Sequence, residues 1–283
     1  MKPNPVKNIS ALDVPLSKKL ELLREAAANP ANASRLKAWG KQHLALHGKA
    51  LNDWTSRAWW GLAAGELLRE HLYNEQRRPA VLELIDPPDW TAINEAQQHG
   101  GIILATAHIG PPRAAMNYLI DCNLPLLIWT NMQGVPGWLP RKTTAKFLDP
   151  LFAEERAVLL IKSALHLRAG GVLFGAPDWA SGTRTVALPR LGVECFFSLG
   201  IPMLVRQLRL PAFLVMALWH GERIQLTSIP IYPPDFAMAA DEWNRLWIER
   251  YWGEIEPIIR SSPENLRFLR TVDGGALVHE LQL

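Results

Sequence analysis

The sequence predicts an α/β fold: a mixed, mainly parallel central sheet covered by helices, with a helical N-terminal region packed on it. Two patterns lead there. Residues 1–85 carry apolar positions at helical spacing, whereas from Asp86-Pro87-Pro88 onward short apolar runs alternate with helical segments, as in strand–helix–strand units. With 48% hydrophobic residues in 283, the chain can bury a full core, and no Ser-, Gly- or Pro-rich linker divides it. The expected organisation is a helical region, 1–85, and an α/β body, 86–283, forming one compact domain.

In the helical region, Leu20, Leu22, Leu23 and Ala27 define a first amphipathic helix over 17–28, stopped at Asn29-Pro30. A second is expected over 34–46. A third covers 51–73, with Asn52 or Asp53 as its start and Trp54, Ala58, Trp59, Leu62 and Leu68 near one stripe. After the change of texture, a short helix from Trp90 ends at Gly100-Gly101, and the run Ile102-Ile103-Leu104 follows at once. Further apolar runs occupy 126–129, 158–161, 172–174 and 213–219, with helical patterns over 112–120 and 163–168. Residues 213–219 and 223–229, joined by His220-Gly221-Glu222, read as a hairpin added to the sheet. The last helix, 241–259, carries Trp243, Leu246, Trp247, Tyr251 and Ile255 as a core stripe.

Composition excludes several functions. A net charge of +3 without a dense basic stripe argues against nucleic acid, though it suits anionic lipids, phosphorylated ligands or an acidic carrier protein. The two cysteines, Cys122 and Cys195, form no CxxC pair, which fits a reducing compartment. MKPNPVKNISALDVPLSKK has neither an apolar core nor a small-residue cleavage site, so no signal peptide is expected, and no apolar stretch is long enough to span a bilayer. The protein is expected to be cytoplasmic, or peripheral at the inner face of the cell membrane. There is no GxGxxG after a strand, no GxxxxGK[ST], no HExxH and no GxSxG. His43 and His47 stand four apart, but no partner set for a metal accompanies them. Twelve tryptophans against four tyrosines suit either a Trp-rich core or a lipid boundary; Trp59-Trp60 and Trp138 are the candidates for the latter.

In open α/β sheets, ligands bind beyond the carboxyl ends of strands. Two strand ends carry ionisable groups: ILATAH, ending in His108, and VLFGAPD, ending in Asp178. An imidazole there can take a proton from an attacking hydroxyl or amine at neutral pH; alternatively it satisfies backbone groups in a turn.

The stretch GGIILATAHIGPPRAAMNYL resembles the first block of the lysophospholipid acyltransferase superfamily, closest to its bacterial lipid A lauroyl/myristoyl branch. LHLRAGGVLFGAPDWASGTRTVALPRLG is similar to that branch's strand-and-Asp segment, and SSPENLRFLR to its closing Pro-Glu motif. The resemblance implies a mixed sheet with an apolar acyl-chain channel, and an acyl thioester donor on acyl carrier protein or coenzyme A. It further implies a small-molecule or lipid acceptor and no metal or redox cofactor. On it, His108 matches the general base, Gly110 the turn glycine and Asp178 the second-block Asp.

One departure matters. Where that family has an acidic residue, this chain has Arg113. A cation beside an imidazole disfavours imidazolium, so the ordinary dyad is absent. Arg113 can point away and pair with Asp178 or Glu194, leaving one of them to orient His108; it can grip a carboxylate or phosphate on the substrate; or the acceptor can be an amine needing little base assistance. Arg141, Arg184 and Glu194 join Arg113 and Gly110 as substrate-binding candidates, Arg141 to receive the phosphates of a pantetheine arm. A catalytically silent acyl- or lipid-binding homologue is the alternative. A second expected departure is that no N-terminal membrane anchor, typical of that branch, is read in the sequence.

Overall fold

The computed structural model describes residues 5–29, 33–111, 113–178 and 184–267. Helices α1 (Pro5–Ser10), α2 (Leu16–Ala27), α3 (Ser34–Leu44), α4 (Gly48–Tyr73) and α5 (Arg78–Leu82) come first. Then follow β1 (Ile85–Asp86), α6 (Thr91–Gln98), β2 (Ile102–Ala105), α7 (Ala114–Asp121), β3 (Leu126–Trp129) and β4 (Lys146–Leu148). Helix α8 (Ala153–Arg168) leads into β5 (Val172–Gly175), the hairpin β6 (Thr185–Arg190) and β7 (Val193–Ser198), and α9 (Gly200–Leu208). A second hairpin, β8 (Ala212–His220) and β9 (Arg223–Pro230), precedes α10 (Ala240–Ser261).

Among the described residues, seven strands form one sheet in the order β1-β9-β8-β2-β5-β3-β4, and β6–β7 stands apart as a two-stranded ribbon. From β8 to β4 all neighbours run parallel; β9 runs antiparallel to β8, and β1 parallel to β9. The fold is therefore α/β with a mixed, mainly parallel sheet, as the alternation of runs and helices predicts. Strands β2 and β5 are buried at every residue because helices cover both faces, which is why they read as continuous apolar runs rather than alternating ones.

The tryptophans are mostly core. Trp243, Trp247 and Trp252 of α10 are buried, with Trp252 meeting Phe197 of β7 edge-on at 5.4 Å. Trp60 packs on Trp219 of β8 at 4.9 Å, which draws α4 onto the sheet. Trp59 and Trp60 are 2% and 4% exposed, so the lipid-facing role considered for them gives way to packing. Helix α4 is held a second time where Glu264 accepts two hydrogen bonds from Arg57, both at 3.0 Å. There the backbone of Glu264 presses so close to Gly61 that a Cβ would sit 1.9 Å from its carbonyl oxygen.

Three expectations need correction. The run 158–161 lies within α8, with Leu159 buried and Ile161 exposed; a four-residue apolar run has no periodicity of its own to separate strand from helix. Helix α4 begins at Gly48, ahead of Asn52 and Asp53. His43 and His47 do not share a helical face, because α3 ends at Leu44 and His47 is extended at the start of α4. Strands β1, β4, β6 and β7 are additions to the predicted set.

Candidate active site

Strands β2 and β5 are hydrogen-bonded neighbours whose register pairs Ile102 with Val172 and Ala105 with Gly175. His108 and Asp178 lie three residues beyond that last pair, so the parallel register itself carries them to one place above the sheet edge. Thr106 N donates to Gly175 O at 2.8 Å and continues the ladder one step past the strands.

Both oxygens of Asp178 turn to His108. Its Oδ2 accepts the backbone N–H at 2.6 Å, and Oδ1 lies 2.9 Å from ring Nδ1. A carboxylate accepts, so the hydrogen is assigned to Nδ1 and the lone pair to Nε2. Asp178 is 5% exposed and the His108 side chain 34%, so the pair has a buried support and an accessible ring. That is the geometry of a base held in one tautomer by an orienting acid.

Two further elements hold the pair. The Tyr251 hydroxyl, from the core stripe of α10, donates to Thr106 O at 2.8 Å and also lies against Asp178. Burial, with the Asp178 carboxylate adding to it, holds that phenol well above its usual range, so it stays a donor. The loop after His108 turns at Gly110, φ 61°, whose N–H donates to Asn265 O at 2.8 Å. Asn265 is buried, and its Oδ1 accepts from Trp219 N at 2.7 Å, which locks the His108 turn to β8. The closing Pro-Glu segment is thus a structural clamp in its first half; residues 268–270 lie outside the described residues.

Arg113 takes neither of the ion pairs considered for it. Its guanidinium points away from Asp178 toward Asn131 O at 3.5 Å and stands over the Tyr73 ring at 5.8 Å. Its backbone is left-handed, φ 61°, at the start of α7. Glu194 is exposed on β7, opposite Pro189 in the ribbon. Arg184, before β6, reaches the Met203 sulfur at 4.0 Å, and Arg141 donates to Gly137 O at 2.9 Å on an exposed turn. These three are not brought to the His108–Asp178 pair by any hydrogen bond or ion pair among the described residues. The segment 179–183, directly after Asp178, lies outside the described residues.

Trp138 is half-buried and donates through Nε1 to Tyr73 O at 3.1 Å, so its ring is tied to the end of α4. A cavity of about 300 Å³ opens between Pro125, Lys146 and His166. It lies at the amino ends of the strands, the opposite edge from His108, and is not the acyl channel that the resemblance implies. Among the described residues no cluster of His, Cys, Asp and Glu is placed to hold a metal, and no helix is long and apolar enough to cross a membrane.

No family model matches the chain, nor does any curated protein at a significant level. The site's chemistry is therefore argued from its geometry. Sequence reading finds His108 and Asp178 because both end apolar runs; it misses Tyr251 and Asn265, whose contacts arise from elements far along the chain.

Proposed function

We propose that the protein transfers an acyl group from a thioester, on acyl carrier protein or coenzyme A, to a hydroxyl or amine acceptor. The observation that carries this is the 2.9 Å contact of His108 Nδ1 with Asp178 Oδ1, in the stretches that resemble the lysophospholipid acyltransferases. As the acceptor heavy atom bonds to the thioester carbonyl carbon, its proton passes to His108 Nε2. Collapse of the tetrahedral adduct breaks the C–S bond, and the departing thiolate takes that proton back. Asp178 holds the ring and stabilises the imidazolium between the two transfers. The acid of the dyad comes from the end of β5, seventy residues away, instead of from position 113. No metal or redox group enters this scheme, and a cytoplasmic or membrane-peripheral location suits its donors.

The test is a panel of acyl thioesters with hydroxyl and amine acceptors, following thiol release and product mass. His108→Ala is expected to lower turnover by about 10²–10⁴-fold, the usual range for a positioned acid–base group. Asp178→Asn is expected to approach the ~10⁴-fold loss seen when the orienting carboxylate of a serine protease becomes an amide. Full activity in His108→Ala would remove the mechanism. A catalytically silent acyl- or lipid-binding protein is the second reading, favoured by Arg113 standing where the family has its acid. It predicts a co-purified acyl ligand with no turnover.

A further inference from the structure

Helix α8 is apolar on two opposite sides. Leu159, Ser163 and Leu167 face inward, 8%, 0% and 1% exposed. Ile161 and Leu165, on the far side of the same turns, are each 61% exposed. Among the described residues, seven large apolar side chains stand exposed, and four of them lie on this helix or at the corner that opens it, Leu151 and Phe152 being the other two. The inward stripe already anchors α8 to the sheet, so the outward one is surplus to the fold. An apolar patch concentrated in this way on a protein surface marks the place of a partner.

The charges in line with the stripe say which partner. Half-buried Val158 extends the row of Ile161 and Leu165, and Glu154 and Arg168 end it. The five positions 154, 158, 161, 165 and 168 recur at alternating steps of four and three, the seam spacing of helices that pack side by side. Glu154 lies seven residues before Ile161, and Arg168 seven after it. Both are exposed, and neither forms an ion pair or hydrogen bond among the described residues. Two copies of α8 laid antiparallel across a two-fold axis at Ile161 set Glu154 of each against Arg168 of the other. A parallel pair would oppose like charges. A bilayer surface would favour basic residues around the stripe, whereas Glu154 stands in line with it.

We propose that α8 is the two-fold interface of a homodimer, its outer stripe covered by α8 of a second copy. The chain reverses between α8 and β5, so the carboxyl end of β5 lies toward the start of α8. The two-fold axis therefore places the two His108–Asp178 pairs at opposite ends of the dimer. The interface itself does not depend on what chemistry those pairs perform.

Sedimentation velocity of the full chain over a range of concentrations tests this, with vesicles of anionic phospholipid as a second arm. The expected result is a reversible monomer–dimer equilibrium and no vesicle binding. Ile161→Asp brings two carboxylates together at the axis and should weaken the dimer about a hundredfold or more, with an unchanged circular dichroism spectrum. Glu154→Arg and Arg168→Glu, both on exposed positions, should each weaken it about tenfold. Combined in one chain, or mixed as two singly substituted proteins, they should restore the wild-type affinity, a recovery that only self-pairing gives. The mass of a single chain at every concentration up to the solubility limit would overturn the proposal. So would a dimer indifferent to Ile161→Asp, or charge variants that fail to rescue one another. A monomer that binds vesicles through Ile161 would give this face to lipid instead.

Discussion

A Cβ added at Gly110 would stand 1.9 Å from the carbonyl oxygen of Ala217, in a backbone conformation that side chains other than glycine avoid. Gly110→Ala must therefore move the His108 turn or β8. We expect it to destabilise the fold by about 2 kcal/mol or more, from overpacking together with left-handed strain; chemical denaturation would measure it, and a loss under half that would contradict the close approach. His108, Gly110 and Asp178 are legible in the sequence because their positions follow from where apolar runs end. Arg113 is legible only as a departure. Its partners, Tyr73 and Asn131, lie on elements whose approach depends on tertiary packing, so its direction could not be read from spacing.

Helix α4 shows a different kind of residue in play. His71 is buried on it and donates from Nδ1 to Leu67 O at 2.9 Å, and burial lowers its pKa below the ordinary 6.5, outweighing the opposing pull of that bond. The folded state thus binds a proton less readily than the unfolded chain. Stability contributed by the neutral ring is present above about pH 6.5 and is lost as pH falls through that value toward the lower folded pKa. Between pH 7 and pH 5 the urea midpoint should fall further for the wild type than for His71→Gln, and parallel falls would reject this account. Element types were legible wherever an apolar run had length or clear boundaries, as in α2, β3 and the β8–β9 hairpin. The β6–β7 ribbon was not, because its turn places Leu191 and Gly192 at φ 50° and 74°, and Leu191 carries no glycine-like signal for that conformation. Strand β4 is three residues long and only Leu148 is buried, too little pattern to recognise.

Across the whole molecule, the helical N-terminal region shares a continuous buried apolar core with the sheet, and specific polar contacts add to it. The Arg57–Glu264 pair is one: Glu264 is 16% exposed and accepts both forks of a half-exposed guanidinium. Arg57→Ala leaves that carboxylate without its partner, and we expect it to cost about 1–2 kcal/mol, since charge-assisted bonds of this kind exceed neutral ones. A thermal midpoint unchanged from wild type would show the pair to be incidental. The fold class was legible from the alternation of runs and helices, whereas the order of strands was not, because nothing in a local pattern says that β5 inserts between β2 and β3. That insertion has a consequence for how the chain tolerates rearrangement. The residues of the proposed dyad are aligned by two adjoining strands and not by the long excursion through α7, β3, β4 and α8 that separates them. Opening the backbone at the exposed Leu151–Phe152 corner, or moving the termini there by circular permutation, would leave the alignment of His108 with Asp178 intact. Deleting one residue between Gly175 and Asp178 would throw the carboxylate out of line.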